Sequence, residues 1–253
     1  MPHYALRLEY DGASFHGWQR QDGLLTIQQV LEDAAASLNH GVTPLATAAG
    51  RTDAGVHAGA QVADLHLALD LAPERVRDAV NVRTAPHPVV VLAAARVPDG
   101  WSARFACVGR AYRYVILNRP ARPALAARRA WHVKRRLDAE AMHAAAQMLL
   151  GNHDFSAYRA ASCQAKSALR TLDRLDVARF GEEIVFTVEA RSFLHHQVRN
   201  MVGTLAEVGR GRRPVAWPRA VLEGRDRTKA GQTAPADGLT LTAARYEPEP
   251  GWM

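Results

Sequence analysis

The first 97 residues alternate between strand-like and helix-like patterns of apolar side chains, and this alternation restricts the fold more than any other feature. "YALRLEY" (4–10) places Leu6, Leu8 and Tyr10 on one face, with the period of two that is typical of a strand. The predicted elements, in chain order, are strand 4–10, helix 27–38 capped by Thr26, short strand 44–50, strand 59–69, a helix from Pro73 and strand 88–97. This β-α-β-β-α-β order predicts a ferredoxin-like domain.

A second series follows "VPDGWSARF" (97–105), which is typical of a linker. Its predicted elements are strand 107–117, a helix starting near Asp138, strands 169–180 and 183–190, helix 193–209, a short helix near 218–223 and strand 238–246. The order repeats with a longer loop and one extra helix. We therefore predict an α+β protein of two ferredoxin-like, RRM-like domains, residues 1–100 and 101–253, each with an antiparallel sheet. A cleft between two such domains would be the expected ligand site.

The charge of the chain favours a polyanionic partner. Formal net charge is +7, and only three of the 32 Lys and Arg residues are lysine. Arginine offers a planar fork that binds phosphates and stacks on bases, although a GC-rich genome also enriches arginine and alanine. The excess of positive charge is therefore the stronger signal, and it predicts that the cleft is basic.

Several classes of protein lack support in the sequence. There is no apolar run long enough for a membrane span, and the first residues carry charges where a signal peptide would be apolar, so the cytoplasm is the expected location. Cys107 and Cys163 form no CxxC pair. The adjacent His195 and His196 lack the i, i+4 spacing of two ligands on a helix. We expect no metal, no membrane contact and no small-molecule cofactor.

"AGRTDAGVHA" (49–58) is the first candidate for a site. Asp53 with Gly55 two residues later is typical of a chain reversal. If the chain enters that turn extended, Arg51 and Asp53 point the same way, and the guanidinium keeps the carboxylate ionised and oriented. Such a carboxylate suits a nucleophile or a base, whereas a plain turn or a surface ion pair would have the same sequence.

"RAYRY" (110–114) is a second candidate. On a strand, Arg110, Tyr112 and Tyr114 share one face and Arg113 lies on the other. Aromatic residues interleaved with arginines on a sheet stack single-stranded bases and hold phosphates. Tyrosines at the edge of a protein core give the same pattern.

Two further stretches contain polar or glycine residues in unexpected places. "YDGASFHGWQRQ" (10–21) combines glycines and Trp18 directly after a strand, and a Gly-rich loop with Trp18 half-buried explains it without a function. Arg199 lies in an otherwise apolar helix, where a long side chain can extend to the solvent at a sheet edge.

Taken together, five segments resemble the tRNA pseudouridine synthases of the TruA type. They are "YDGASFHGWQRQ", "AGRTDAGVHA", "ARFACVGRAYRY", "FLHHQVRNMVG" and "APADGLTL", in this order along essentially the whole chain. "GWQRQ" and "AGRTDAGVHA" are highly specific to that family. The departures are peripheral: Ala168 stands where the family usually has Pro, Thr240 where Tyr is common, and Gln232 where Pro is common.

The resemblance implies a reaction and assigns residues to it. Asp53 would be the nucleophile that isomerises uridine to pseudouridine at positions 38, 39 and 40 in the anticodon stem-loop of tRNA. Tyr112 matches the position that stacks on the flipped uracil, and Arg51 and Arg199 match basic residues near the aspartate. The resemblance also implies a homodimer and no cofactor. Whether the carboxylate attacks the ribose or removes a sugar proton stays open.

Two other functions account for part of the sequence. A non-catalytic RNA-binding protein with two RRM-like domains explains the charge and "RAYRY", but it gives Asp53 no purpose, because a carboxylate among phosphates repels them. A metal-dependent nuclease would use Asp53 and histidines, but the chain lacks ligand spacing.

Overall fold

The computed structural model describes all 253 residues and divides them into two compact units. The first unit comprises Met1–Gly109 together with Thr240–Met253, and the second unit comprises Arg110–Leu239. Each unit combines helices with a mostly antiparallel sheet. None of the helices has the length and apolar character needed to cross a membrane.

The chain forms ten strands and five α-helices. The strands are β1 (His3–Tyr10), β2 (Thr47–Ala48), β3 (His57–His66), β4 (Val89–Arg96), β5 (Cys107–Leu117), β6 (Trp131–His132), β7 (Gly151–Asp154), β8 (Leu169–Phe180), β9 (Glu183–Ala190) and β10 (Leu239–Tyr246). The helices are α1 (Ile27–Ala35), α2 (Pro73–Thr84), α3 (Ala139–Gln147), α4 (Gln197–Gly209) and α5 (Trp217–Gly224).

Strand β3 organises the sheet of the first unit. β1 pairs antiparallel along one edge of β3, and β4 pairs antiparallel with the far side of β1. Two strands share the other edge of β3: β2 places Thr47 opposite Asp64 in an antiparallel pair, and β10 places Thr240 opposite His57 in a parallel pair. Leu6 of β1 is completely buried, as expected for a strand in the middle of a sheet.

The helices of the first unit begin where the sequence predicts. The hydroxyl oxygen of Thr26 accepts a hydrogen bond from the amide N–H of Gln29 at 3.3 Å, which caps α1. α2 begins at Pro73, and its residues Val76 and Val80 are fully buried. The predicted elements of residues 4–97 are confirmed in type and order, but β2 is only two residues long.

The sheet of the second unit has the order β5-β9-β8-β7, and all three pairings are antiparallel. β6 pairs in parallel with the end of β5, where Ile116 lies opposite Trp131. The bounds of β5, β8 and β9 coincide with the predicted strands 107–117, 169–180 and 183–190. α3 follows Asp138, whose carboxylate accepts a hydrogen bond from the amide N–H of Ala141 at 2.9 Å.

The element order of the second unit differs from the predicted β-α-β-β-α-β. Between α3 and β8 the chain forms β7, which pairs antiparallel with β8 and places Gly151 opposite Leu172. The sequence of β7, "GNHD", contains no apolar residue and no alternation, so its extended form depends on the pairing with β8 and not on its own pattern.

The last strand, β10, belongs from Thr240 onward to the first unit, whereas the predicted second domain comprises residues 101–253. β10 pairs with β3 of the first unit, and the hydroxyl of Tyr246 donates to the carbonyl oxygen of Ala103 at 2.8 Å. The amide N–H of Ala103 in turn donates to the Asp64 carboxylate at 2.7 Å. The segment expected to be a linker is therefore packed into the first unit, and the boundary falls after Gly109.

Candidate active site

Asp53 lies on a tight turn of the first unit, as the Asp-x-Gly pattern predicts. The amide N–H of Val56 donates to the carbonyl oxygen of Asp53 at 3.1 Å, and Gly55 has a φ of +81°. A positive φ of this size favours glycine, which explains why glycine closes the turn. The Asp53 side chain is half-buried, so its carboxylate is partly withdrawn from water and still accessible.

The glycine-rich loop that follows β1 docks against this turn through backbone atoms. The amide N–H of Trp18 donates to the carbonyl oxygen of Thr52 at 2.9 Å, and that of Gly55 donates to the carbonyl oxygen of Phe15 at 3.3 Å. A Cβ atom on Gly12 would lie 1.9 Å from the carbonyl oxygen of Val56, so no other residue fits there. The two segments that stand apart in the sequence are thus one structural element.

Trp18 contributes to this element from inside the protein. The expectation that it is half-buried is wrong: only 2% of its surface is exposed, and its ring lies 6.3 Å from the ring of Tyr10. The side chain is buried because its own backbone is fixed against Thr52 on the adjacent turn. Trp18 therefore supports the turn and is not a surface available to a base.

A buried network of polar side chains fixes the backbone that leads into the Asp53 turn. The hydroxyls of Tyr10 and Thr52 are hydrogen-bonded at 2.8 Å, and the side-chain amide of Gln61 donates to the Tyr10 hydroxyl at 3.3 Å and to the carbonyl oxygen of Gly50 at 2.8 Å. Burial raises the pKa of Tyr10 to about 12, so its hydroxyl stays neutral at physiological pH. The network therefore holds both neighbours of Arg51 in place.

Arg51 lies at the surface beside the Asp53 turn. Residues 51–53 lie outside any strand, and Arg51 is exposed whereas Asp53 is half-buried. Thr52, between them, accepts a hydrogen bond at its carbonyl oxygen from the amide N–H of Trp18 in the glycine-rich loop. That Arg51 and Asp53 point the same way stays a prediction.

Polar residues that the sequence prediction missed lie where the loop meets β3. His57 Nδ1 is 3.0 Å from the Asp11 carboxylate and 3.1 Å from the amide nitrogen of Gly12. Gln61 also belongs to this set, and it is fully buried on a strand that is otherwise largely apolar. A buried glutamine in such a strand is the one signal that would have found the network, because a buried amide requires partners.

Tyr112 lies on β5 in the second unit, opposite Val188 of β9. It is 8% exposed, and its ring meets the ring of Phe193 edge to face, with centroids 5.3 Å apart. Arg113 lies on the other face, where its guanidinium is 3.3 Å from the Glu183 carboxylate, so the predicted alternation is confirmed. An aromatic ring supported from one side by a second aromatic ring is a suitable platform for a base.

Tyr114 has a different role from Tyr112 although the two share a strand face. It is completely buried, and its hydroxyl donates to the carbonyl oxygen of Pro235 at 2.8 Å. Burial raises the pKa of its hydroxyl, which therefore stays protonated. Tyr114 is a core residue, as the alternative interpretation of "RAYRY" proposed.

Arg199 lies on α4 in the second unit and is half-buried. Its Nε donates to the carbonyl oxygen of Ala234 at 2.8 Å, and the amide N–H of Ala234 donates back to the carbonyl oxygen of Arg199 at 3.1 Å. The close approach continues at Gly203, where a Cβ atom would lie 1.8 Å from the carbonyl oxygen of Gln232. Arg199 is therefore bonded to the loop that contains Ala234, and its side chain does not extend freely into solvent.

One group in the first unit has the residue types of a metal site. His3, His66 and Asp99 have potential ligand atoms within 4.8 Å of one another. However, His3 Nε2 is 2.9 Å from the Asp64 carboxylate and His3 Nδ1 is 3.2 Å from the carbonyl oxygen of Pro98. Both ring nitrogens of His3 are thus already engaged by oxygen atoms of the protein.

Comparison with known proteins assigns the chain to a family. A family model described as tRNA pseudouridine synthase matches residues 145–247. The chain is 60% identical to tRNA pseudouridine synthase A of Acidiphilium cryptum over 251 residues, 99% of this chain and 98% of that protein. It is 57% identical to tRNA pseudouridine synthase A of Methylobacterium sp. over 251 residues, with 99% and 100% covered.

Identity of this level over the full length is sufficient to define the class of protein, which is an isomerase. The chain belongs to the tRNA pseudouridine synthase A family.

Proposed function

We propose that the protein isomerises uridine to pseudouridine in tRNA, at positions 38, 39 and 40 of the anticodon stem-loop, with Asp53 as the nucleophile. The observation that carries the proposal is the fixed and half-buried turn on which Asp53 lies. It is bonded by its backbone to the glycine-rich loop and through the Thr52 hydroxyl to the buried Tyr10 network. A reacting group held in this way loses little freedom when the substrate binds, which lowers the barrier.

The reaction needs no group from outside the chain and the RNA. The N1–C1′ bond breaks, the uracil turns while it is held, C5 bonds to C1′, C5 loses its proton and N1 gains one. Asp53 can attack the ribose or remove a sugar proton while the base leaves, and both routes need one oriented carboxylate. The target base must first leave its stack, which costs a few kcal/mol.

Three further residues complete the proposed site. Tyr112 stacks on the flipped uracil, because its ring is already supported by Phe193. Arg199 and Arg51 supply positive charge toward the RNA phosphates and the aspartate. Each is positioned by a local feature, Arg199 by Ala234 and Arg51 by its anchored neighbours. These roles rest on the match of each residue to the family motifs.

We also propose the assembly and location that the family resemblance implies, a homodimer in the cytoplasm without a cofactor. For the architecture we propose two ferredoxin-like domains. The pairing of β4 with β1, β1 with β3 and β3 with β2 supports this for the first unit. For the second series of elements, β7 is an addition to the ferredoxin-like order.

Asp53→Asn tests the proposal. The amide keeps the size of the side chain and the turn around it, so the variant should fold, and tRNA binding should hold or improve because a negative charge near phosphates is removed. Turnover should fall below detection, since a neutral amide is a poor nucleophile and a poor base. The assay is chemical tagging of pseudouridine in a tRNA transcript with uridine at position 39, with a binding curve and a melting curve.

Asp99→Asn is the matched control, because it makes the same chemical change on an exposed residue of the same unit. The control should keep wild-type turnover. Measurable pseudouridine from a verified, uncontaminated preparation of the Asp53→Asn variant would remove Asp53 from the chemistry, and tagging at positions other than 38–40 would contradict the proposed target.

A further inference from the structure

The second unit contains a groove of about 340 Å³. Its lining includes none of the four proposed site residues. Five basic residues line it, together with Trp131, His132, Val133 and Gln232. The basic residues are Lys134, Arg135, Arg136, Arg210 and Arg212. We refer to these five residues and the space between them as the cationic groove.

One wall of the cationic groove is a segment to which the buried side chain of Asn118 bonds at three points. The side-chain amide of Asn118 donates to the carbonyl oxygens of Val133 and Arg135 at 2.9 and 2.7 Å, and its oxygen accepts from the amide N–H of Leu137 at 2.9 Å. Val133 and Leu137 are buried on either side of the three exposed cations at 134–136. These cations therefore project from a rigid backbone, which reduces the entropy lost on binding.

The opposite wall follows the end of α4 and is attached to the first. The amide N–H of Asp138 donates to the carbonyl oxygen of Gly209 at 2.9 Å, and the guanidinium of Arg210 lies over the ring of Trp131 at 5.4 Å. The carboxylate of Glu207 is 2.5 Å from Arg210 and 3.3 Å from Arg212. The two walls are thus joined by interactions within the second unit.

The charges in the groove are not balanced. Glu207 pairs with two of the five cations, whereas Lys134, Arg135 and Arg136 are exposed and form no salt bridge. Three consecutive like charges repel one another, and an anion in the groove relieves this repulsion. Arginine forks match the oxygens of a phosphate and can bind two of them at once.

We propose that the cationic groove binds phosphates of the tRNA backbone. The proposal rests on the proposed function, because that function makes tRNA the substrate. A polyanion fits the observations better than a single anion, since five cations on two rigid walls exceed what one phosphate requires. The groove supplies affinity and orientation through the backbone, and it takes no part in the chemistry at the target base.

The test replaces the three unpaired cations together, as K134A/R135A/R136A. Only side chains beyond Cβ are removed, and the carbonyl oxygens that Asn118 holds remain, so the fold should be kept. The slope of log affinity against log salt should become shallower by about three, one for each phosphate that the variant no longer neutralises. At 0.1 M salt the affinity for a tRNA transcript should fall on the order of tenfold for each of these phosphates. KM should rise, and kcat at saturating tRNA should stay unchanged.

The matched control removes the same charge elsewhere, as R75A/R77A/R83A on α2 of the first unit. It should change the salt slope by less than one. As a second variant, Arg212→Ala alters the other wall with a single exposed side chain and should reduce the slope by about one. Melting curves of all variants exclude unfolding as the cause.

The outcomes separate the possibilities. An unchanged slope in K134A/R135A/R136A, or an equal loss in the control, would overturn the groove as an RNA site. Competition with tRNA by millimolar inorganic phosphate through the groove, abolished in the triple variant, would assign it to a free anion and also overturn the proposal. If wild-type protein forms no pseudouridine but the triple variant still loses salt-dependent tRNA binding, the groove stands and the proposed function fails.

Discussion

The most informative single substitution is Gly17→Ala, because Gly17 contacts the backbone of the Asp53 turn from the adjacent loop. Gly17 has a φ of +85°, and a Cβ atom on it would lie 2.7 Å from the carbonyl oxygen of Thr52 and 3.1 Å from the carbonyl carbon of Asp53. A methyl group there presses directly on the peptide that carries Asp53. We expect the turn to move while the rest of the first unit stays folded.

The expected effect of Gly17→Ala has two separable causes, the positive φ and the close approach to Thr52. Placing alanine at a positive φ costs about 1–2 kcal/mol of stability wherever it occurs. The close approach adds a displacement, since ordinary van der Waals distances begin near 3.4 Å and the oxygen of Thr52 must give way by roughly 0.7 Å. A misplacement of about 1 Å at a reacting group costs up to about 10²-fold in rate, so kcat should fall by roughly 10- to 100-fold.

Gly23→Ala is the matched control for the first term. Gly23 has a φ of +73° but a Cβ atom on it would meet nothing within 4 Å. Both variants should lose a similar amount of conformational stability from the positive φ, and only Gly17→Ala should lose turnover. The assay is single-turnover formation of pseudouridine at saturating tRNA, with unfolding in urea for both variants. Equal single-turnover rate constants in the two variants would refute the inference that Gly17 positions Asp53.

Two further substitutions test the second unit. Tyr112→Phe keeps the stacking ring and should bind tRNA normally, whereas Tyr112→Ala should lose about 1–3 kcal/mol of binding free energy. If the hydroxyl takes the C5 proton, turnover by the Tyr112→Phe variant will stall. Near-normal turnover by that variant would mean that the ring serves only to stack on the base. Asn118→Ala should lower the free energy of unfolding by about 3 kcal/mol, because it removes a buried side chain that bonds several backbone groups. The control is Asn152→Ala, at an exposed position. A loss of unfolding free energy under about 1 kcal/mol for Asn118→Ala would contradict the inference that Asn118 fixes the segment 133–137.

The elements that the sequence predicts best are those whose pattern depends on one buried face. β9 has the predicted bounds, since buried residues alternate over its full length. The turn at Asp53 was also predictable, because Asp and Gly set local backbone geometry. By contrast, β7 has no apolar pattern, so only the neighbouring β8 makes it a strand.

The sequence indicates which residues belong to the candidate site, but not the contacts that hold the site together. Asp53 and Tyr112 stand in recognisable motifs, but the close approach of Gly12 to Val56 and the bond of Tyr10 with Thr52 join residues more than forty positions apart. Such long-range interactions have no local signature, and neither does the partner of a strand. For the same reason the sequence predicted that β10 is a strand but not that it pairs with β3.

The position of β10 has a consequence for biosynthesis. β10 pairs with β3 beside His57, four residues after Asp53, and the ribosome produces β10 only after the complete second unit. An emerging chain therefore carries the Asp53 turn for most of its synthesis without the strand that pairs beside it. Nascent or prematurely released chains would contain the whole second unit but an unfinished first unit, so the surroundings of Asp53 are completed last.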